Sequence, residues 1–122
     1  MDILVIDDEP LVTKSLEKLL KINGYNGVVV ASAEGALQKV KEVEFNLIIS
    51  DIRMPGTNGI EAVKAIRNYL KENNKPATPE IFITGYADEE NYKEAIKLKV
   101  AGYIYKPFDM QELLDLVKRN LQ

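Results

Sequence analysis

Asp7, Asp8, Asp51, Thr84 and Lys106 are the residues whose types and placement could do chemistry in this chain. Each follows a short apolar run: Ile3 to Ile6, Leu47 to Ser50, Ile81 to Ile83, and Tyr103 to Tyr105. Carboxylates brought close together repel and need a counter-charge. Lys106 supplies one positive charge, and a divalent cation would supply more. The chain has no histidine and no cysteine. Hard oxygen ligands without those two select Mg²⁺ over zinc or copper. An ion of that kind keeps several waters and shares a phosphate oxygen, so the set suits a phosphoryl group beside a metal. Thr84 can donate a hydrogen bond to one phosphoryl oxygen, and Lys106 can pair with another. Gly85 lets the backbone come near. Asp51 can itself accept the phosphoryl as an aspartyl phosphate, a form of covalent carboxylate chemistry.

Composition narrows the alternatives. A chain of 122 residues suits one domain, 1–122, with a full core. The net charge of −3 argues against bulk electrostatic binding to nucleic acid or an anionic membrane. No apolar run has the length of a membrane span. Met1-Asp2 runs straight into the first apolar stretch, which leaves no room for a signal peptide, and the absence of cysteine is consistent with a reducing cytoplasm. With neither thiol nor imidazole, there is no Ser-His or Cys-His nucleophile pair.

These residues must be positioned by the elements around them. Five β-branched runs recur, the fifth being Val28 to Val30. Between them lie segments with helical spacing. Val12, Leu16, Leu19 and Leu20 form one face, with Gly24 as the stop. Ala36, Leu37, Val40 and Val43 form a second. Ile60, Val63, Ile66 and Leu70 form a third, opened by Asn58 with Glu61 three residues on. Tyr92, Ala95, Ile96 and Val100 form a fourth. Leu113, Leu114, Val117 and Leu121 form a fifth, opened by Asp109 with Glu112. This alternation predicts an α/β fold: a five-stranded parallel sheet between two helical layers, a three-layer sandwich with five helices. Strands apolar on both sides agree with burial on both faces. In such a sheet the carboxyl ends share one edge, where ligands bind. If the first and third strands are neighbours, their tips lie about 5 Å apart and the acids crowd one volume.

Taken singly, each residue has a plainer reading. Asp7-Asp8-Glu9 also makes an acidic helix start favoured by the helix dipole. Asp51 before a Pro-Gly-rich loop also reads as a turn residue. Thr84 is an ordinary strand residue, Lys106-Pro107 a solvated strand end, and Tyr103 a core aromatic. The weight lies in their joint placement.

The blocks "VIDDEP", "SDIRMPGTNGIEA", "IFITGYAD" and "AGYIYKPF" occur in order, each at a strand tip, and together cover essentially the whole chain. They resemble the sequence blocks of response-regulator receiver domains of two-component signalling, chemotaxis receivers among them. The resemblance implies a flavodoxin-like strand order 2-1-3-4-5, of which a chemotaxis receiver is a known example. It implies that Asp51 is the phosphoacceptor. Asp8 would be a direct Mg²⁺ ligand, Asp7 a neighbour acting through water, and the backbone carbonyl of Arg53 a further ligand. Thr84 would be the hydroxyl that moves toward the phosphoryl, and Lys106 the lysine that pairs with it. Pro107 matches a proline whose preceding bond is commonly cis. Tyr103 matches an aromatic switch that turns inward. The surface of the fourth helix, fifth strand and fifth helix would then be read by a downstream protein. The phosphoryl donor would be a sensor histidine kinase or a histidine phosphotransfer protein, since this chain has no histidine.

Bulky Arg53 and Tyr86 flank the expected phosphoryl site and would restrict attack by water. Gly102 stands where dimerising DNA-binding regulators often carry an acid, which weakens a charge-paired dimer. The polar loop 73–79 looks longer than is usual for receivers and reads as a surface insertion or a partner contact. A haloacid-dehalogenase-like phosphatase shares the aspartyl phosphate and Mg²⁺, but it needs an Asp where Arg53 stands. A nucleotide or flavin binder of the same fold lacks support, for there is no GxxxxGK loop. A receiver-shaped module that is never phosphorylated is the third alternative. The expected protein is thus a signalling phosphoacceptor and not an enzyme acting on an outside substrate, with no direct nucleic-acid or membrane contact.

Overall fold

The computed structural model describes residues 1–54, 56–85 and 89–121, without the Thr57 side chain. In chain order the main elements are β1 (Asp2–Ile6), α1 (Pro10–Ile22), β2 (Asn26–Val30), α2 (Ala33–Glu42) and β3 (Leu47–Asp51), followed by α3 (Gly59–Glu72), β4 (Glu80–Thr84), α4 (Glu89–Lys97), β5 (Gly102–Tyr105) and α5 (Met110–Asn120). A short antiparallel ribbon, Arg53–Met54 against Thr57–Asn58, joins β3 to α3. The five main strands form one parallel sheet in the order β2-β1-β3-β4-β5. The expected fold and strand order are therefore present.

Side chains alternate across each strand and sort into two cores. Ile3, Val5, Leu47, Ile49, Ile81, Ile83 and Ile104 face one way, onto Leu16 and Leu20 of α1 and Leu113 and Val117 of α5. Leu4, Ile6 and Ile48 face the other way, onto Ala36 and Val40 of α2 and Ile66 and Leu70 of α3. Phe82 continues that second face with Ile52, Ile60, Val63 and Ala95. Each fully buried Ile or Leu contributes roughly 1.5–3 kcal/mol relative to exposure, so the two apolar layers hold the sheet between the helices.

The helix ends follow local chemistry. Pro10 opens α1, where its missing N–H costs nothing. Gly24 follows α1 at φ +83, a left-handed turn that glycine takes without strain. Asn58 caps α3 by accepting from Ile60 N at 2.8 Å, and Asp109 caps α5 by accepting from Gln111 N at 2.7 Å. Ser32 caps α2 by accepting from Gly35 N at 3.0 Å, a start signal not singled out in the sequence.

The fourth helix departs from its expected face. Ala95 is buried, but Tyr92 is 43% and Ile96 55% exposed, and Val100 lies beyond the helix end. The inward line is Asn91, Ala95 and Leu98, one helical turn at a time. Ile96 sits about 100° round from Ala95 and so faces out.

Candidate functional site

The site is assembled by strand parity. Asp51 continues the alternation of Leu47 and Ile49, Asp7 that of Ile3 and Val5, and Lys106 that of Ile104. All three therefore leave the sheet on the α1/α5 side of its carboxyl edge. The ladders run on just far enough to hold them. Asp7 N donates to Val30 O at 3.1 Å, and Lys106 N donates to Thr84 O at 2.7 Å. Because β1 and β3 are paired, Asp7 and Asp51 come together. Asp7 is 1% exposed and Asp51 4%. One carboxylate oxygen from each of Asp7, Asp8 and Asp51 lies within 4.8 Å of the others.

Lys106 lies over this cluster. Its Nζ donates to Asp7 Oδ2 at 3.1 Å, to Asp51 Oδ2 at 3.1 Å and to Glu9 Oε1 at 2.8 Å. Burial works against the ammonium, but the bonds to Glu9, Asp7 and Asp51 outweigh it and hold its pKa well above the ordinary lysine value. The Asp51 pKa is raised too, which for a carboxylate disfavours the charged form. Burial raises its pKa, and the charge of Asp7 adds to this. Lys106 and the Ile52 N–H, which donates to Asp51 Oδ1 at 2.7 Å, offset only part of the rise. Asp7 is fixed by the Glu9 N–H, which donates to its Oδ1 at 2.9 Å. In the sequence Glu9 reads only as part of an acidic run. Its bond to Lys106 is signalled there only by its place as a third acid at the strand tip.

Backbone packing holds Asp51 from below. Gly59 N donates to Ile52 O at 2.7 Å, and Ser50 Oγ donates to Asp51 O at 2.8 Å. A Cβ on Gly59 would lie 1.8 Å from Asp51 O, so only glycine lets α3 start this close to the strand tip.

The remaining expected residues take up other positions. Thr84 is buried at the tip of β4, one residue beyond Ile83, the register partner of Asp51. Arg53 follows two residues after Asp51, in the ribbon, with its side chain exposed. Tyr103 pairs with Phe82 across β4 and β5, on the α3/α4 side of the sheet. Its ring meets those of Phe82, Tyr92 and Tyr105 edge-on at 6.4, 5.2 and 5.4 Å, and its hydroxyl is buried. The Lys106-Pro107 bond is cis, as the sequence blocks implied. Tyr86 lies outside the described residues. Gly102 has a packing reason of its own: a Cβ there would lie 2.3 Å from a Leu116 methyl on α5.

A donor set made only of carboxylates, with one ammonium against several negative charges, fits a hard divalent cation such as Mg²⁺. Beside the acids, Glu9, Leu11, Val12, Lys106, Phe108 and Met110 line an open groove between α1 and the β5–α5 loop. Leu11 there is 83% exposed. No described helix is long and apolar enough to cross a membrane.

A family model described as the response regulator receiver domain matches residues 3–118. The regulatory protein AtoC of Escherichia coli (strain K12) is 33% identical over 120 residues, which are 98% of this chain and 25% of AtoC. The response regulator protein FleR of Pseudomonas aeruginosa is 34% identical over 118 residues, 97% of this chain and 24% of FleR. The chain thus spans about a quarter of the length of these relatives. Among solved structures, the chemotaxis protein CheY4 of Vibrio cholerae superposes with a TM-score of 0.87 at 30% identity, covering 98% of both chains. A response regulator receiver domain protein from Methanospirillum hungatei JF-1 gives 0.88 at 29% identity, covering 98% of this chain and 92% of that one.

Proposed function

The chain belongs to the response regulator receiver family of two-component signalling, and on that premise we propose that Asp51 takes a phosphoryl group from a phosphohistidine of a partner protein. The observation that carries this is the convergence of Lys106 Nζ on Asp7 and Asp51 at 3.1 Å each, with Asp8 alongside. In the transfer, an Asp51 carboxylate oxygen forms the new P–O bond. The P–N bond to the partner's imidazole breaks, and its electron pair stays on that nitrogen. Asp7, Asp8, Asp51 and the Arg53 carbonyl would hold Mg²⁺, which when bound neutralises charge on the phosphoryl oxygens. Lys106 pairs with one of those oxygens, exchanging part of its carboxylate shell for the new anion. Thr84 donates to another. The chain's contribution is position and charge, which is most of what phosphoryl transfer requires.

The partner is a sensor histidine kinase or a histidine phosphotransfer protein in the cytoplasm. It docks on the groove beside the acids, where exposed Leu11 and Met110 offer apolar contacts next to Lys106. Occupation of the site draws Thr84 and Lys106 toward the phosphoryl group and shifts the packing of Tyr103 among Phe82, Tyr92 and Tyr105. The surface of α4, β5 and α5 then changes its population of states, and a downstream protein reads the change.

Intact-mass measurement after incubation with acetyl phosphate and MgCl₂ tests the reading. The wild type should gain one phosphoryl group, and Asp51→Asn or a chelator should abolish the gain. Labelling of Asp51→Asn equal to wild type would overturn it. Steady release of phosphate from small phosphoesters over many turnovers would favour a phosphatase instead.

A further inference from the structure

The opposite edge of the sheet carries a feature the phosphoryl site does not use. Arg67 and Lys71 on α3, Lys75 in the following loop and Lys99 after α4 line one open groove floored by Leu70 and Leu98. The acid in this groove, Glu80, is 4% exposed at its side chain and is already held by Arg67, whose Nε and Nη2 donate to its two oxygens at 2.7 Å each. Lys71, Lys75 and Lys99 form no ion pair with another described residue. Three ammonium groups without a carboxylate partner among the described residues thus cluster on a chain whose net charge is −3, Lys75 Nζ lying 5.7 Å from the centre of the Tyr69 ring.

The backbone reinforces the pattern. Lys99 sits at φ +55, where glycine is the usual choice after a helix, and Asn74, which precedes Lys75, sits at φ +55 as well. A lysine in that conformation is strained, so its presence costs stability that a glycine would spare. The loop residues 73–79, which the phosphoryl chemistry leaves unexplained, present Lys75 to the groove.

We propose that this groove between α3 and α4, lined by Lys71, Lys75 and Lys99, docks an acidic peptide segment of a partner protein that carries an apolar side chain. Acidic side chains would meet the rim ammonium groups, and the apolar one would rest on Leu70 and Leu98. Potential complementarity of this kind sets specificity and speeds encounter more than it adds affinity. The apolar floor and the short reach of three lysines suit a peptide better than a phosphate backbone, whose binding needs a longer row of contacts. Two copies meeting groove to groove would set lysine against lysine, so a second copy would bind head to tail, which gives rings or open filaments instead of a closed pair. The groove lies at the amino edge of the sheet, so docking leaves the carboxyl-edge acids accessible.

A fluorescein-labelled peptide of alternating Glu and Leu is the probe, titrated by anisotropy, with a Gln-and-Leu peptide as the control. The Glu peptide should bind, the Gln peptide should not, and added salt should weaken binding. The double variant Lys71→Glu/Lys99→Glu, changed only at exposed positions, should bind about tenfold more weakly. Its labelling by acetyl phosphate should stay unchanged, which shows that it is folded. Lys99→Gly should raise the thermal midpoint while weakening the peptide, separating docking from a structural role. Equal binding by wild type and the double variant would overturn the proposal. So would tighter binding of a DNA duplex to the same lysines, or concentration-dependent self-association that the double variant loses.

Discussion

Lys106 Nζ lies 3.1 Å from Asp51 Oδ2 across 55 residues of sequence, and it reaches Asp7 and Glu9 from the same place. One ammonium therefore serves three carboxylates, while Asp51 remains destabilised in its charged form. The first prediction concerns that imbalance. The folded-state pKa of Asp51 is raised above the usual 3.8. A carboxyl raised in this way penalises the fold when ionised. The penalty is absent below the unfolded value and complete above the folded one. Asp51→Asn should therefore stabilise the metal-free protein at pH 7 by on the order of 1 kcal/mol, and the gain should vanish toward pH 3. Urea unfolding of both proteins at the two pH values measures it. Added MgCl₂ should stabilise the wild type more than the variant, by linkage.

Gly59 supplies a second prediction. Its place against Asp51 O leaves no room for a methyl group. Gly59→Ala should cost about 2 kcal/mol, as overpacking against backbone does. It should also slow labelling of Asp51 by acetyl phosphate, because the strand tip must shift. Gly85→Ala, where a Cβ would meet nothing within 4 Å, is the control that should keep full stability.

The buried pair Arg67 and Glu80 gives a third. Glu80 is 4% and Arg67 35% exposed at the side chain. Arg67→Ala leaves a buried carboxylate without its partner and should cost about 2 kcal/mol, reduced from the fully buried case by the exposure of the guanidinium. Arg67→Met/Glu80→Leu should return to within about 1 kcal/mol of wild type, since a well-packed apolar pair replaces both charges. Chemical denaturation of the single and double variants separates the two effects.

These residues mark what the sequence made legible and what it did not. Asp7, Asp51 and Lys106 could be read because each ends an apolar run with a defined parity, and paired parallel strands turn equal parity into proximity. The five-strand order followed from recognisable blocks at strand tips. Arg67 and Glu80 escaped notice because they are 13 residues apart on different elements, with no local pattern linking them. The sequence puts Tyr92 and Ile96 inward because α4 is short, with one fully buried residue, and two phases of the helix are equally apolar. Gly102 shows in the sequence only a missing charge, whereas its contact with Leu116 depends on how α5 crosses β5.

Leu11 carries the fourth prediction. It is 83% exposed beside Glu9, Lys106 and Met110, an arrangement that serves the fold little. Leu11→Asp should leave acetyl phosphate labelling unchanged. Transfer from a phosphorylated histidine kinase should fall about tenfold in kcat/KM, the loss expected when an apolar anchor is replaced at an interface. An equal fall with both donors would place the defect in the acids and remove the docking role.

Tyr103 carries the last. Its ring is packed edge-on among Phe82, Tyr92 and Tyr105, and it shares a face of the sheet with Thr84. A movement of Thr84 toward a phosphoryl group would open space along that face, and a rotating aromatic can fill it. If the phosphorylated form favours one arrangement about 100-fold, the coupling is worth about 2.7 kcal/mol. Tyr103→Ala should remove most of that coupling while Asp51 labels within about twofold of wild type. The readout is the ratio of downstream affinity with and without the phosphoryl group, which should approach one. A ratio unchanged from wild type would show that the tyrosine packs β5 without transmitting anything.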